Sequence, residues 1–133
     1  PARAVTTHTL FCLRTPLSHQ RQLVLCGLMY SFVANYLVRL RVSTHVTIAI
    51  TSRMPLPVVR DDDPVAPHIA SLVRDLMTGA QPVEEMPQYS QLQAIVARLY
   101  GLSRDEFEHI LGTFPLIPIA VREAALASFK ALQ

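Results

Sequence analysis

Leu23-Val24-Leu25-Cys26-Gly27-Leu28-Met29-Tyr30-Ser31-Phe32-Val33-Ala34-Asn35-Tyr36-Leu37-Val38 is a run of sixteen residues without a charge, and the way it folds decides the architecture. A membrane span needs roughly 20 apolar residues, and this shorter run is interrupted by Gly27, Ser31 and Asn35. The reading is a central helix over residues 20 to 41, apolar nearly all round and buried on most sides. Ser18 is its N-cap. Arg39 and Arg41 sit at its C-terminal end, where the helix dipole favours cations. Cys26, in mid-helix, reads as a buried small hydrophobe.

The flanks of this helix read as strands. Residues 3 to 13 (RAVTTHTLFCL) are threonine-rich and β-prone, and Pro16 ends them. Residues 45 to 51 (HVTIAIT) alternate, with Val46, Ile48 and Ile50 on one face, which is the pattern of a half-buried strand. Met54-Pro55-Leu56-Pro57 then has to be extended.

The second half reads as helices. Asp61-Asp62-Asp63-Pro64 is a solvated turn into a helix whose stripe is Ile69, Leu72, Val73, Leu76 and Met77, closed by Gly79. Residues 80 to 88 form a loop. Ser90 with Gln93 and Ser103 with Glu106 each have the spacing of a capping box. The helix after Ser90 carries Leu92, Ile95, Val96, Leu99 and Tyr100 and stops at Gly101. The helix after Ser103 carries Phe107, Ile110 and Leu111. Residues 119 to 132 are alanine-rich and helical, with Val121, Ala125, Phe129 and Leu132 on one side. Leu99 and Phe107 belong to the core, because their stripes meet across Gly101-Leu102. The expected fold class is α+β and mostly helical: about five helices, with a small two- or three-stranded sheet in the N-terminal half. The 133 residues make a single domain, with a basic part over 1–60 and a helical part over 61–133.

Charge divides the chain the same way. Residues 1 to 60 hold seven arginines and no Asp or Glu, a net +7, while residues 61 to 133 net −5. Such a split points to an anionic partner for the first half, with nucleic acid the leading candidate, or to a basic face that meets acidic groups of the chain's own second half or of a neighbouring domain. With half of the residues hydrophobic and 17% charged, the chain is not a disordered tail.

Catalytic patterns are missing. The five histidines have no HExxH or HxxxH spacing, and Cys12 and Cys26 form no CxxC. The four glycines leave no room for GxGxxG or a phosphate loop. No serine is framed as GxSxG. The expectation is a chain without catalytic residues, metal or cofactor of its own.

Two stretches carry a family resemblance. The first is Leu28-Met29-Tyr30-Ser31-Phe32-Val33-Ala34-Asn35-Tyr36-Leu37-Val38-Arg39, then Ser43-Thr44-His45-Val46-Thr47, then Arg53-Met54-Pro55-Leu56-Pro57. It resembles the pattern "LNSxxxxYxxR … THL … LPxP" in the C-terminal region of adenine-N6 DNA methyltransferases of restriction–modification systems, including the TaqI-like specificity region and fused methyltransferase–endonucleases. The second, Leu92 to Leu111 followed by Phe114-Pro115, is similar to the "LxAxVAxLYGLSxxExxxIL … FP" segment that closes the same proteins. The family has Asn-Ser where this chain has Tyr30-Ser31, so no role for that Asn carries over.

The resemblance implies a C-terminal piece of a larger cytoplasmic enzyme. Its catalytic core would bring a glycine-bearing S-adenosylmethionine loop and an (Asn/Asp)-Pro-Pro-(Tyr/Phe) motif, neither of which occurs here. The piece would help to hold the target-recognition region on DNA, and its partners would be DNA and the upstream domains of the same chain. Arg39 matches the family's basic position, and Thr44-His45 match its Thr-His pair. Arg39, Arg41 and Arg53 are the expected phosphate contacts, with Thr44 and His45 in a weaker role. Arg39 could equally cap a helix C-terminus, and Thr44-His45 could be a hydrogen-bonded turn. For Tyr30 and Tyr36, core packing is favoured over base stacking. The other reading is a helical protein-interaction domain whose basic half docks on an acidic partner.

Overall fold

The structure is a computed structural model that describes residues 15–42 and 46–132, without the side chain of Ile48. Ser18 opens α1 (His19–Met29), its hydroxyl accepting the Arg21 N–H. The uncharged run then breaks. Ser31 Oγ donates to the Leu28 carbonyl at 2.8 Å and accepts the Ala34 N–H at 3.0 Å. One hydroxyl therefore closes α1 and caps α2 (Phe32–Arg39). The single helix expected over 20 to 41 is two helices. A serine in mid-run offers the backbone a competing partner, and one further orphaned donor is taken by a side chain 61 residues away: Gln93 Oε1 accepts the Phe32 N–H at 2.7 Å.

The expected sheet is overturned. Among the described residues there are seven α-helices, one 3₁₀ turn and no strand. The half-buried strand read over 45–51 is instead a helical turn, α3 (Ile48–Thr51). Thr47 Oγ1 accepts the Ile50 N–H, and the Thr47 carbonyl accepts both the N–H and the hydroxyl of Thr51. A strand needs a neighbour to take its backbone groups, whereas a helical turn satisfies them locally. The strand read over 3–13 lies outside the described residues. Cys26 is also corrected: it is exposed on α1, not buried.

The second half follows its stripes closely. Asp63 Oδ1 accepts the Val65 N–H at the start of α4 (Val65–Thr78), which buries Ile69, Leu72, Val73 and Leu76 and leaves Met77 exposed. A 3₁₀ turn (Val83–Glu85) leads to α5 (Pro87–Leu99). That helix opens on Pro87, three residues before the expected cap. Proline at the first helical position gives up an N–H that would have no partner anyway. No capping box forms at Ser90: its hydroxyl donates to the Pro87 carbonyl, and Gln93 is fully buried. After α5 the chain reverses at Gly101, whose φ of +70° only glycine adopts without strain. Gly101 N–H donates to the Arg98 carbonyl and Leu102 N–H to the Ala97 carbonyl, the paired bonds of a Schellman ending.

At α6 (Arg104–Gly112) the expected capping box is present in both directions. Glu106 N–H donates to Ser103 Oγ, and Ser103 N–H donates to Glu106 Oε2 at 2.7 Å. Those bonds from Ser103 hold the Glu106 carboxyl below the usual carboxylate range. The stabilisation is therefore complete above the unfolded carboxylate pKa and fades as pH falls through the lower folded value. Glu106→Gln is expected to cost stability near neutrality and progressively less in acid. Urea unfolding of both proteins across the acid range checks this: a difference that does not shrink would mean the carboxylate charge adds nothing.

The last helix, α7 (Ile119–Ala131), buries Ala125 and Phe129 completely. Phe107 and Phe129 meet at a ring separation of 5.1 Å between α6 and α7. Leu99, expected in the core, is only partly buried against it. The central element is α5, which packs against α4 on one side and α7 on the other and also touches α1 and α2. Gly27 allows that arrangement: a Cβ there would stand 2.8 Å from Ile69 Cγ2 and 3.2 Å from Leu92 Cδ1. No helix among the described residues is long and apolar enough to cross a membrane.

Candidate nucleic-acid interface

The two stretches that carry the family resemblance pack against each other, and that packing positions the arginines. Gln93 on α5 binds the break between α1 and α2, accepting from Phe32 N–H and reaching the Tyr30 carbonyl at 3.5 Å. Next to it the rings form a chain. Tyr30 meets Tyr89 edge-on at 5.9 Å, Tyr89 meets Phe32 at 5.9 Å, and Phe32 meets Phe114 at 5.0 Å. Burial, with smaller contributions from Tyr30 and Glu84, pushes the Tyr89 phenol far above its ordinary value. Tyr30 is half exposed at the outer end of this chain, and Tyr36 rests edge-on against His109.

Arg39 closes the chain at its other end. Its guanidinium lies 4.9 Å from the centre of the Phe114 ring and donates to the Thr113 carbonyl at 3.0 Å. Thr113 is the C-cap of α6, so this cation sits at the negative end of a neighbouring helix as well as at the end of its own. Arg41 turns back on α2, donating to the Leu37 carbonyl at 3.2 Å. Both side chains therefore cap helix C-termini while remaining exposed. Arg53 follows α3, is exposed, and makes no side-chain hydrogen bond or ion pair among the described residues. Among the described residues none of the three is paired with an acid, whereas Arg21 is, to Asp61 at 2.6 Å.

The structure joins Arg39 and Arg41 at the end of α2. Val46 reaches the same place, since a shallow groove of about 370 Å³ there is lined by Met29, Asn35, Val38, Arg39, Val42 and Val46. No hydrogen bond ties Arg53 to that end among the described residues, and Thr44 and His45 lie outside them. Sequence reasoning missed the apolar part of this surface. Leu40 is 64% exposed and Val46 51%, beside the basic residues. Val38 lines the groove from α2, and Val42 lines it from the residues that follow the helix. Arg60 was also passed over; it too is exposed without a side-chain partner among the described residues.

Among the described residues no cluster of three or more His, Cys, Asp or Glu could hold a metal ion. Comparison with protein-family models, with curated proteins and with solved structures finds no match to this chain.

Proposed function

We propose that the chain is the C-terminal target-recognition and support domain of an adenine-N6 DNA methyltransferase of a restriction–modification system, acting in the cytoplasm. It helps to position double-stranded DNA and performs no catalysis of its own. The S-adenosylmethionine site and the catalytic motif belong to the upstream part of the parent enzyme. The observation that carries this reading is the set of exposed arginines without acidic partners, Arg39, Arg41 and Arg53, in a half-chain that has no acid at all. The packing of the two resembling stretches supports it: Gln93 and Phe114 from the second hold the Tyr30–Arg39 segment of the first.

The arginines act on phosphates, because Arg39 and Arg41 sit at the C-terminal end of α2 and Arg53 follows α3, none of them on the exposed face of a long helix. Arg53→Ala is the cleaner probe, since Arg39 also fastens α6 to α2. On both cognate and scrambled duplexes, Arg53→Ala is expected to weaken binding equally and to flatten the salt dependence by about one unit. The chain by itself binds duplex DNA on the order of 10⁻⁴ M or weaker, because few phosphates are neutralised. Affinity measured against salt for wild type and variant decides the matter. An unchanged slope would refute the phosphate role. It would favour the second reading, a helical interaction domain docking on an acidic partner, for which the exposed Leu40 and Val46 beside the arginines are the supporting observation. A loss confined to the cognate duplex would make Arg53 a base-reading residue.

A further inference from the structure

A second groove, of about 530 Å³, lies between α1 and residues 56–62, and none of Arg39, Arg41 and Arg53 lines it. Its walls are apolar, with Leu17, Val24 and Leu28 on one side and Leu56 and Val59 on the other. Residues 54–60, which form its lip, have no regular structure, and the N–H groups of Leu56, Val58 and Val59 find no acceptor among the described residues. Leu56 and Val59 pack against the core, whereas Val58 stands out from the lip, 90% exposed. Both signs of charge line the same groove. Arg21 and Asp61 pair with each other at 2.6 Å. Arg60 and Asp62 are exposed and have no ion-pair partner among the described residues.

We propose that a second copy of this chain occupies the groove across a two-fold axis, Val58 of each copy entering the groove of the other. Three observations select this occupant. The protruding valine and the apolar hollow belong to one patch, and a two-fold contact sets a patch against itself, so that each copy both gives and receives. The charges point the same way. A nucleic acid, or any partner of a single sign, would meet like charge here, from Asp61 and Asp62 or from Arg21 and Arg60. A patch that holds both signs is its own complement: Arg60 of each copy meets Asp62 of the other. Third, the lip offers unpaired backbone groups, and a two-fold axis across it runs the two segments antiparallel, an orientation in which they can bond to each other. Pro55 and Pro57 have no N–H to give, which keeps that ladder short and the dimer dissociable. The contact does not use the surface assigned to DNA and stands whether or not that assignment holds.

Sedimentation equilibrium of the full chain carries the test, with a reducing agent present so that Cys12 and the exposed Cys26 cannot cross-link copies. The mean mass is expected to rise with concentration from one chain to two and to stop there. Val58→Glu alters a side chain with almost no packing to lose in the single chain. It is expected to raise the dissociation constant about tenfold or more, because it drives a charge into each apolar groove. Arg60→Asp makes the patch net acidic and Asp62→Arg makes it net basic, so each alone is expected to self-associate more weakly than wild type. Mixed in equal amounts, these two variants are expected to form one-to-one dimers, a recovery that a folding defect could not produce. Four results would overturn the proposal: the mass of one chain at every concentration, growth past two copies, Val58→Glu associating as tightly as wild type, or a mixture no more associated than its two components.

Discussion

Phe107→Ala is expected to destabilise the protein by about 3–5 kcal/mol, the cost of deleting a fully buried aromatic ring and leaving its cavity. Phe107 has no exposed surface and lies 5.1 Å from Phe129, also fully buried, so the void would open at the junction of α6 and α7. That junction relaxes poorly. Arg98 stacks 3.9 Å from the centre of the Phe129 ring and donates to its carbonyl at 3.1 Å, and the Schellman turn at Gly101 fixes how α6 leaves α5. Leu99→Ala, at a partly buried position, is expected to cost less than about 2 kcal/mol, below the range for a fully buried leucine. A double-mutant cycle of Phe107→Ala with Phe129→Ala is expected to show a coupling of about 0.5–1.5 kcal/mol from the ring pair. Urea midpoints at constant m-value give these quantities. A Phe107→Ala loss under about 1 kcal/mol would mean that α6 is not held by this ring.

What could be read from the sequence was whatever closes within one turn or one stripe. The Ser103–Glu106 box formed because both partners lie three residues apart and nothing else competes for them. The α4 stripe formed because five apolar positions agree with a 3.6-residue period, and only Met77 at its edge faces solvent. The failures have long-range causes. Ser90 and Gln93 have capping-box spacing, but Pro87 had already started the helix, and Gln93 was recruited by Tyr30 and Phe32. The alternation of residues 45–51 is real, yet period two makes a strand only if a neighbour pairs with it, and Thr47 provides a local alternative. At the candidate site, Arg39 lies in the last turn of α2. What the sequence left open was whether Arg39 caps or contacts phosphate. Its bond to Thr113 uses one arm of the guanidinium for capping and leaves the side chain exposed.

Gln93→Leu is expected to be the second most damaging change, at about 3 kcal/mol, the upper end of the cost of stranding a buried hydrogen-bonding group. The side chain is fully buried, so its amide makes no contact with water. Its oxygen is the acceptor for the Phe32 N–H at 2.7 Å, and Phe32 is itself buried at the first position of α2. Leucine fills a similar volume and keeps α5 helical, so the loss isolates the polar contacts from the packing. The Phe32 N–H would then be left in an apolar setting among Phe32, Tyr89 and Phe114. The Tyr30 carbonyl, next to a half-exposed ring, can turn to solvent and contributes less. The strain has a specific outlet, since Ser31 could rejoin the two helices by releasing Ala34 N–H and Leu28 carbonyl. Gln93→Leu is therefore expected to accelerate amide hydrogen exchange at Phe32 and Ala34 more than at the centre of α4. Arg39 would be displaced from Thr113 as α2 swings, and under the proposed function DNA affinity should then fall for all sequences alike. Gln93→Glu keeps the acceptor for Phe32 N–H but faces the Tyr30 carbonyl with a second acceptor, and its penalty should grow as pH rises through the glutamate pKa. If Gln93→Leu unfolds at the same urea concentration as wild type, the break between α1 and α2 is set by Ser31 alone.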